Sequence, residues 1–121
     1  MTSKHTLVLG ASTNPERYSF LAANKLVSHN HPITLVGNKN GNVSGSPILH
    51  SIPKDLKVNT VTVYLGAKNQ IGYYDDLIRL KPKRIIFNPG AENPELEKLA
   101  TENGIEVEKA CTLVLLSIGQ Y

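Results

Sequence analysis

A single cysteine, Cys111, rules out an internal disulfide and fits a reducing compartment. Tryptophan is absent, only two phenylalanines and five tyrosines are present, and no strand interleaves aromatic with basic residues. That composition gives no support to a nucleic-acid platform. No apolar run approaches membrane-spanning length, and no membrane partner is expected. Met1 to His5 is polar, and the first apolar run is too short for the core of a signal peptide. A cytoplasmic location is therefore expected. His29 and His31 lie in a polar loop with no third ligand nearby, whereas a tetrahedral metal site needs three or four, so no metal is expected. Internal repeats and low-complexity tracts are also lacking. The formal charge of +3 is mild and suits a small anionic ligand as readily as a nucleic acid. With 121 residues, the chain is expected to form one domain, 1–121, with a core of its own.

What is there alternates in a regular way. His5–Leu9 is apolar without alternation, as a parallel strand buried on both faces would be. Tyr18–Ser28 reads as a helix with Phe20, Ala23 and Val27 on its core stripe and Ala22 and Leu26 beside them. Ile33–Val36 is a second strand, and a short edge strand is expected near Pro47–His50. Val58–Leu65 is the third main strand. Gln70–Leu80 reads as a helix stopped by Pro82, with Ile71, Tyr74, Leu77 and Ile78 inward. Arg84–Phe87 is the fourth strand. Asn93 is a good N-cap for a following helix, Pro94 suits its first position, and Gly104 is the residue expected past its end. Ile105–Lys109 is the fifth strand, and the apolar tail Leu113–Ile118 reads as a short closing helix, with a homo-oligomer contact as the alternative use for it. The class is α/β, a doubly wound parallel sheet with helices on both faces. Right-handed crossovers suggest the order 3-2-1-4-5 for the five main strands.

In such a sheet, ligands bind at the carboxyl ends of the strands, where the winding reverses. Four polar, glycine-containing loops leave that edge: Gly10–Arg17, Gly37–Asn42, Gly66–Asn69 and Asn88–Glu92. In the first, strand, glycine turn and helix succeed one another, the geometry that aims free backbone N–H groups at a phosphate. Its sequence, Gly10-Ala11-Ser12-Thr13-Asn14-Pro15, is not the G-x-G-x-x-G dinucleotide fingerprint. The acidic residue that would hold the ribose of NAD at the end of the second strand is replaced by Gly37-Asn38-Lys39. A lysine there attracts a ribose phosphate, which disfavours NAD and favours NADP or another phosphorylated adenosine.

The pattern Gly-Ala-Ser-x-Asn-Pro-x-Arg-x-Ser, then Val-x-Asn-Lys, then Asn-Pro-Gly-x-Glu, then a cysteine after the fifth strand resembles the small single-domain CoA-binding proteins. These are similar to the Rossmann-like CoA-binding domain of the succinyl-CoA synthetase α subunit. The resemblance runs over nearly the whole chain, although the family usually has Asn-Pro-Lys where this chain has Gly37-Asn38-Lys39. It implies coenzyme A, or an acyl-CoA, as ligand. Gly10, Ala11 and Ser12 would cradle the diphosphate, with Asn14 in the same loop and Arg17 and Ser19 near it at the helix start. Asn38 and Lys39 would face the phosphorylated ribose. The loop from Leu65 through Asn69 to Ile71 would flank the adenine, and Asn88, Pro89, Gly90 and Glu92 would line the pantetheine path. An NADP-binding module or enzyme fragment, and an interaction module holding no ligand, remain as alternatives. For catalysis, Cys111 is the one candidate nucleophile, and with no histidine expected beside it the expected role is a small buried core residue and the expected protein no enzyme.

Overall fold

The structure, a computed structural model, describes residues 3–121. The strands are β1 (Thr6–Leu9), β2 (Ile33–Val36), β3 (Asn42–Val43), β4 (Ser46–Leu49), β5 (Thr60–Val63), β6 (Arg84–Phe87) and β7 (Glu106–Lys109). The helices are α1 (Tyr18–Ser28), α2 (Tyr74–Leu80), α3 (Pro94–Glu102) and α4 (Thr112–Ser117). The strands form one sheet in the order β3-β4-β2-β1-β5-β6-β7, parallel except for the β3–β4 hairpin.

The class agrees with the sequence expectation, and the strand order differs in one step. The third main strand, β5, lies beside β1 rather than outside β2. The place outside β2 is taken by β4, which pairs with it through Leu35 and Val36. The chain returns to that edge at once through the tight β3–β4 hairpin, so the next strand must cross to the other side of β1. There β5 is buried at every residue, which an edge position would not allow. Pro47, without an N–H to donate, sits in the edge hairpin where it costs no ladder bond.

Alternation along the strands sorts the core into two layers. Leu7, Leu9, Val61, Val63, Ile85 and Phe87 meet Leu77 of α2 and Leu96 and Ala100 of α3. Val8, Leu35 and Ile48 meet Ala23 and Leu26 of α1 and Leu116 of α4 on the opposite face. Each fully buried Leu, Ile or Val contributes about 1.5–3 kcal/mol of transfer free energy. The stripe of α1 is turned slightly from the expected one: Ser19, Ala22, Ala23 and Leu26 are buried, and Val27 is exposed. Small residues at 19, 22 and 23 let the helix lie close to the sheet, and this rotates Val27 outward. The helix expected from Gln70 begins only at Tyr74, after two short 3₁₀ turns, Ala67–Asn69 and Ile71–Tyr73, and Ile71 is exposed instead of inward. The α3 cap is as expected: the Asn93 side chain accepts the Leu96 N–H at 3.2 Å, and Glu97 accepts the Asn93 N–H at 2.9 Å.

At the amino edge of the sheet, the Tyr121 ring packs onto the α1/α4 layer. The Arg84 guanidinium lies 4.6 Å from its centroid and the His31 ring 4.9 Å away. His31 Nδ1 accepts the Lys4 backbone N–H at 2.9 Å, and His5 Nε2 meets the Thr34 hydroxyl at 2.8 Å. Burial lowers the pKa of both imidazoles, and the neighbouring charges of His29, Lys4 and Arg84 push His31 further down. Folding therefore favours the neutral rings, while the unfolded chain binds protons near pH 6.5. This contribution is complete above pH 6.5 and is lost as the pH falls below it. Urea melts across pH 5–8 should show a midpoint that declines below 6.5, and His31→Gln should flatten part of that decline.

Candidate functional site

Gly10 turns the chain out of β1 with a φ of +96°, a conformation that side chains rarely adopt. The N–H groups of Gly10 and Ala11 both donate to the Val36 carbonyl, at 2.8 and 2.9 Å. These two amides are therefore committed to the sheet and point away from any ligand. The loop then holds itself. Asn14 N–H donates to Ser12 Oγ and Glu16 N–H to Asn14 Oδ1, both at 3.0 Å, and Arg17 N–H donates to the Asn14 carbonyl at 3.0 Å.

Four backbone donors are left over. Among the described residues, the N–H groups of Ser12, Thr13, Tyr18 and Ser19 find no partner in the chain. The last two open α1, whose N-cap, Arg17, gives no side-chain cap and whose first turn carries no acid. An uncapped helix start with free N–H groups attracts an anion. Ser12, Tyr18 and Ser19, though not Thr13, border a cleft of about 860 Å³ at the carboxyl ends of β1, β2 and β5. Gly10, Ala11, Ser12, Arg17 and Ser19 line it from the first loop, Asn38 and Lys39 from the second, Leu65 and Asn69 from the third and Pro89 from the fourth.

The other residues singled out in the sequence stand elsewhere. Asn14 is the internal brace of the first loop. Ile71 is exposed beyond the third. Asn88 is buried, and its side chain is fully engaged: Nδ2 donates to the Thr62 hydroxyl at 2.7 Å and to the Val63 carbonyl at 2.9 Å, and Oδ1 accepts the Thr112 N–H at 2.8 Å. It fastens the start of α4 to the sheet. Gly90 turns with a φ of +93° and donates its N–H to Glu92 Oε1 at 2.9 Å, so both belong to a local turn outside the cleft wall. Cys111, expected in the core, is half-buried at the N-cap of α4. The closing helix needs that position at the sheet edge, because Thr112 must reach both Asn88 and the Thr62 hydroxyl, the latter at 2.7 Å.

The cleft also holds residues that the sequence patterns did not single out: Glu16, Tyr18, Gly37, Tyr64, Gly66 and Tyr73. Glu16 and Tyr18 flank Arg17, so their places are fixed once the loop is known. Tyr64 carries a signal only the structure supplies. Its hydroxyl is buried with no hydrogen-bond partner, and burial pushes its pKa up to about 12. Gly37 is set against the first loop, and a Cβ there would stand 2.5 Å from the Ala11 carbonyl oxygen. The close approach of the two loops requires glycine at this position.

The sheet is doubly wound, and the cleft lies where its winding reverses, the place at which sheets of this α/β class bind their ligands. The comparisons with known proteins narrow the class. Residues 4–117 match the family model described as CoA binding domain, and the chain belongs to that family. A crystal structure described only as that of an uncharacterized protein is 48% identical over the whole of both chains, with a TM-score of 0.96. A hypothetical protein from Pyrococcus horikoshii OT3 is 26% identical, with 93% of this chain and 81% of that one covered and a TM-score of 0.79. The cell-free ID.343 protein of Thermus thermophilus shares the fold at 23% identity, with 98% and 91% covered and a TM-score of 0.84. No curated protein matches the chain.

Gly37→Ala tests how tightly the two loops are matched. The added methyl meets backbone rather than a flexible side chain, so the first loop must shift. Overpacking of this kind costs about 1–3 kcal/mol. The variant should fold with a lowered melting temperature, and an anionic ligand held by the first loop should bind roughly tenfold more weakly or worse, the affinity that one displaced charge-assisted bond carries. Isothermal titration beside a thermal melt reads both.

Proposed function

We propose that this protein binds coenzyme A, or an acyl-CoA, in the cleft at the carboxyl edge and turns nothing over. The observation that carries the reading is the set of three partnerless N–H groups at Ser12, Tyr18 and Ser19, with Arg17 and Lys39 on the same rim, in a chain of the CoA binding domain family. A diphosphate presents the acceptors and charge that such donors lack. Lys39 lies at the end of the second strand, where the ribose of an adenosine reaches when its diphosphate rests at the first loop. Coenzyme A carries a 3′-phosphate on that ribose. Leu65, Tyr73 and Pro89 offer apolar surface for the adenine and the pantetheine arm.

Binding without turnover is favoured by the groups that line the cleft. Its titratable side chains are Glu16, Arg17, Tyr18, Lys39, Tyr64 and Tyr73, and among the described residues no hydrogen bond or salt bridge joins any two of them. An activated nucleophile is ordinarily held by an adjacent base, and no such pairing lines this cleft. Incubation with acetyl-CoA or succinyl-CoA should therefore give no product above background, and sustained hydrolysis or acyl transfer would refute this half of the reading.

The ligand itself is tested through Lys39. A hydrogen bond to a charged group contributes on the order of 1.5–3 kcal/mol, and an exposed lysine gives the lower part of that range. Wild-type protein should bind coenzyme A about tenfold more tightly than dephospho-CoA. Lys39→Ala should lose that preference with dephospho-CoA binding nearly unchanged, and the preference should shrink as salt rises. Equal wild-type affinities would make Lys39 an ordinary surface lysine. Tighter binding of NADP than of coenzyme A would move the assignment to the nicotinamide cofactor.

A further inference from the structure

Gln70 sits between the two 3₁₀ turns that come after β5, and its side chain is fully buried. Its Nε2 donates to the Leu65 carbonyl at 2.8 Å and to the Ala91 carbonyl at 2.8 Å. Its Oε1 accepts from Asn93 Nδ2 at 2.9 Å. A primary amide has two N–H donors and one oxygen, and every one of them is used here. The three partners belong to different parts of the cleft frame. Leu65 lies in the β5–α2 loop, which forms one wall together with Gly66, Asn69 and Tyr73. Ala91 comes two residues after Pro89, the lining residue of the β6–α3 loop. Asn93 caps α3 and also donates to the Tyr74 hydroxyl at 2.9 Å, which ties the start of α2 into the same network. Gln70 itself does not line the cleft.

We infer that Gln70 is a positioning residue that fixes the β5–α2 and β6–α3 loops to each other along one side of the ligand cleft without touching the ligand. An apolar side chain of the same length would leave the Leu65 and Ala91 carbonyls and one N–H of the Asn93 amide without partners in a buried place. Each loop would then have to open toward water to recover its bonds, and the two openings displace that side of the cleft. The inference rests on the coenzyme A reading only for its choice of probe.

Gln70→Met is compared with Ile105→Ala, a buried control at the amino end of β7, away from both loops. Calorimetric titration with coenzyme A should show roughly tenfold weaker binding for Gln70→Met and an unchanged affinity for the control. Amide exchange measured without ligand should quicken in 65–70 and in 89–93 for Gln70→Met alone. Affinity and exchange that match the control would overturn the proposal. If Gln70→Met does not fold, Gln70→Glu decides. A protonated glutamic acid keeps the acceptor for Asn93 and one O–H donor, while the carboxylate faces two carbonyls with none. The affinity of Gln70→Glu relative to wild type should thus rise as the pH falls, and a flat ratio would overturn the proposal. If wild-type protein binds no coenzyme A, the ligand assignment fails by itself. The exchange comparison, with Gln70→Glu in place of an unfolded Gln70→Met, then upholds the clamp if both loops loosen and overturns it if they do not.

Discussion

The Val36 carbonyl accepts two N–H groups, from Gly10 and Ala11, and the cleft depends on that double contact. It pulls the chain leaving β1 across the end of β2 and aims the rest of the first loop at the start of α1. It uses up the two amides nearest the sheet, so the donors of the first loop left free at the cleft are those of Ser12, Tyr18 and Ser19. It also brings the Ala11 carbonyl so close to the second loop that only a glycine fits at 37. A backbone bond between neighbouring parallel strands thus sets the depth of the cleft and the contact between its first two loops.

The opposite side of the cleft is held by side chains. Gln70 joins the third and fourth loops, Asn93 joins them to α2 and α3, and Asn88 joins β5 and β6 to α4. These amides are buried and fully engaged, the condition under which a polar network specifies one arrangement rather than merely costing desolvation. Tyr64 is the exception, with a buried hydroxyl that finds no partner. The cleft is thus bounded by backbone geometry near β1 and β2 and by carboxamides near β5 and β6.

Much of this was legible along the chain. The α1 boundaries, β2, β6, the Asn93 cap and the αL glycine at 104 come from local rules of burial pattern, capping and backbone sterics, and these do not require knowledge of the partners. The four loops at the carboxyl edge come from the β–α alternation, because a parallel sheet sends every such loop to the same side. Ten of the residues singled out in and beside those loops line the cleft: Gly10, Ala11, Ser12, Arg17, Ser19, Asn38, Lys39, Leu65, Asn69 and Pro89.

The roles inside the loops were decided by tertiary structure. Asn88 and Gln70 are both carboxamides near strand or helix ends, and nothing local says that one fastens α4 and the other spans two loops. Their partners lie on other elements, and hydrogen bonds are directional over only about 3 Å. The place of β5 beside β1 was likewise a competition between strands for one edge, won by β4 because its hairpin delivers it first. The sequence by itself determined most of the elements, their alternation and the edge at which the four polar loops gather, since each arises from periodicity and steric limits within a few residues. Only the folded chain decided which strand neighbours which, which amides stay free and which side chains are consumed as braces, since these depend on contacts between residues distant in sequence.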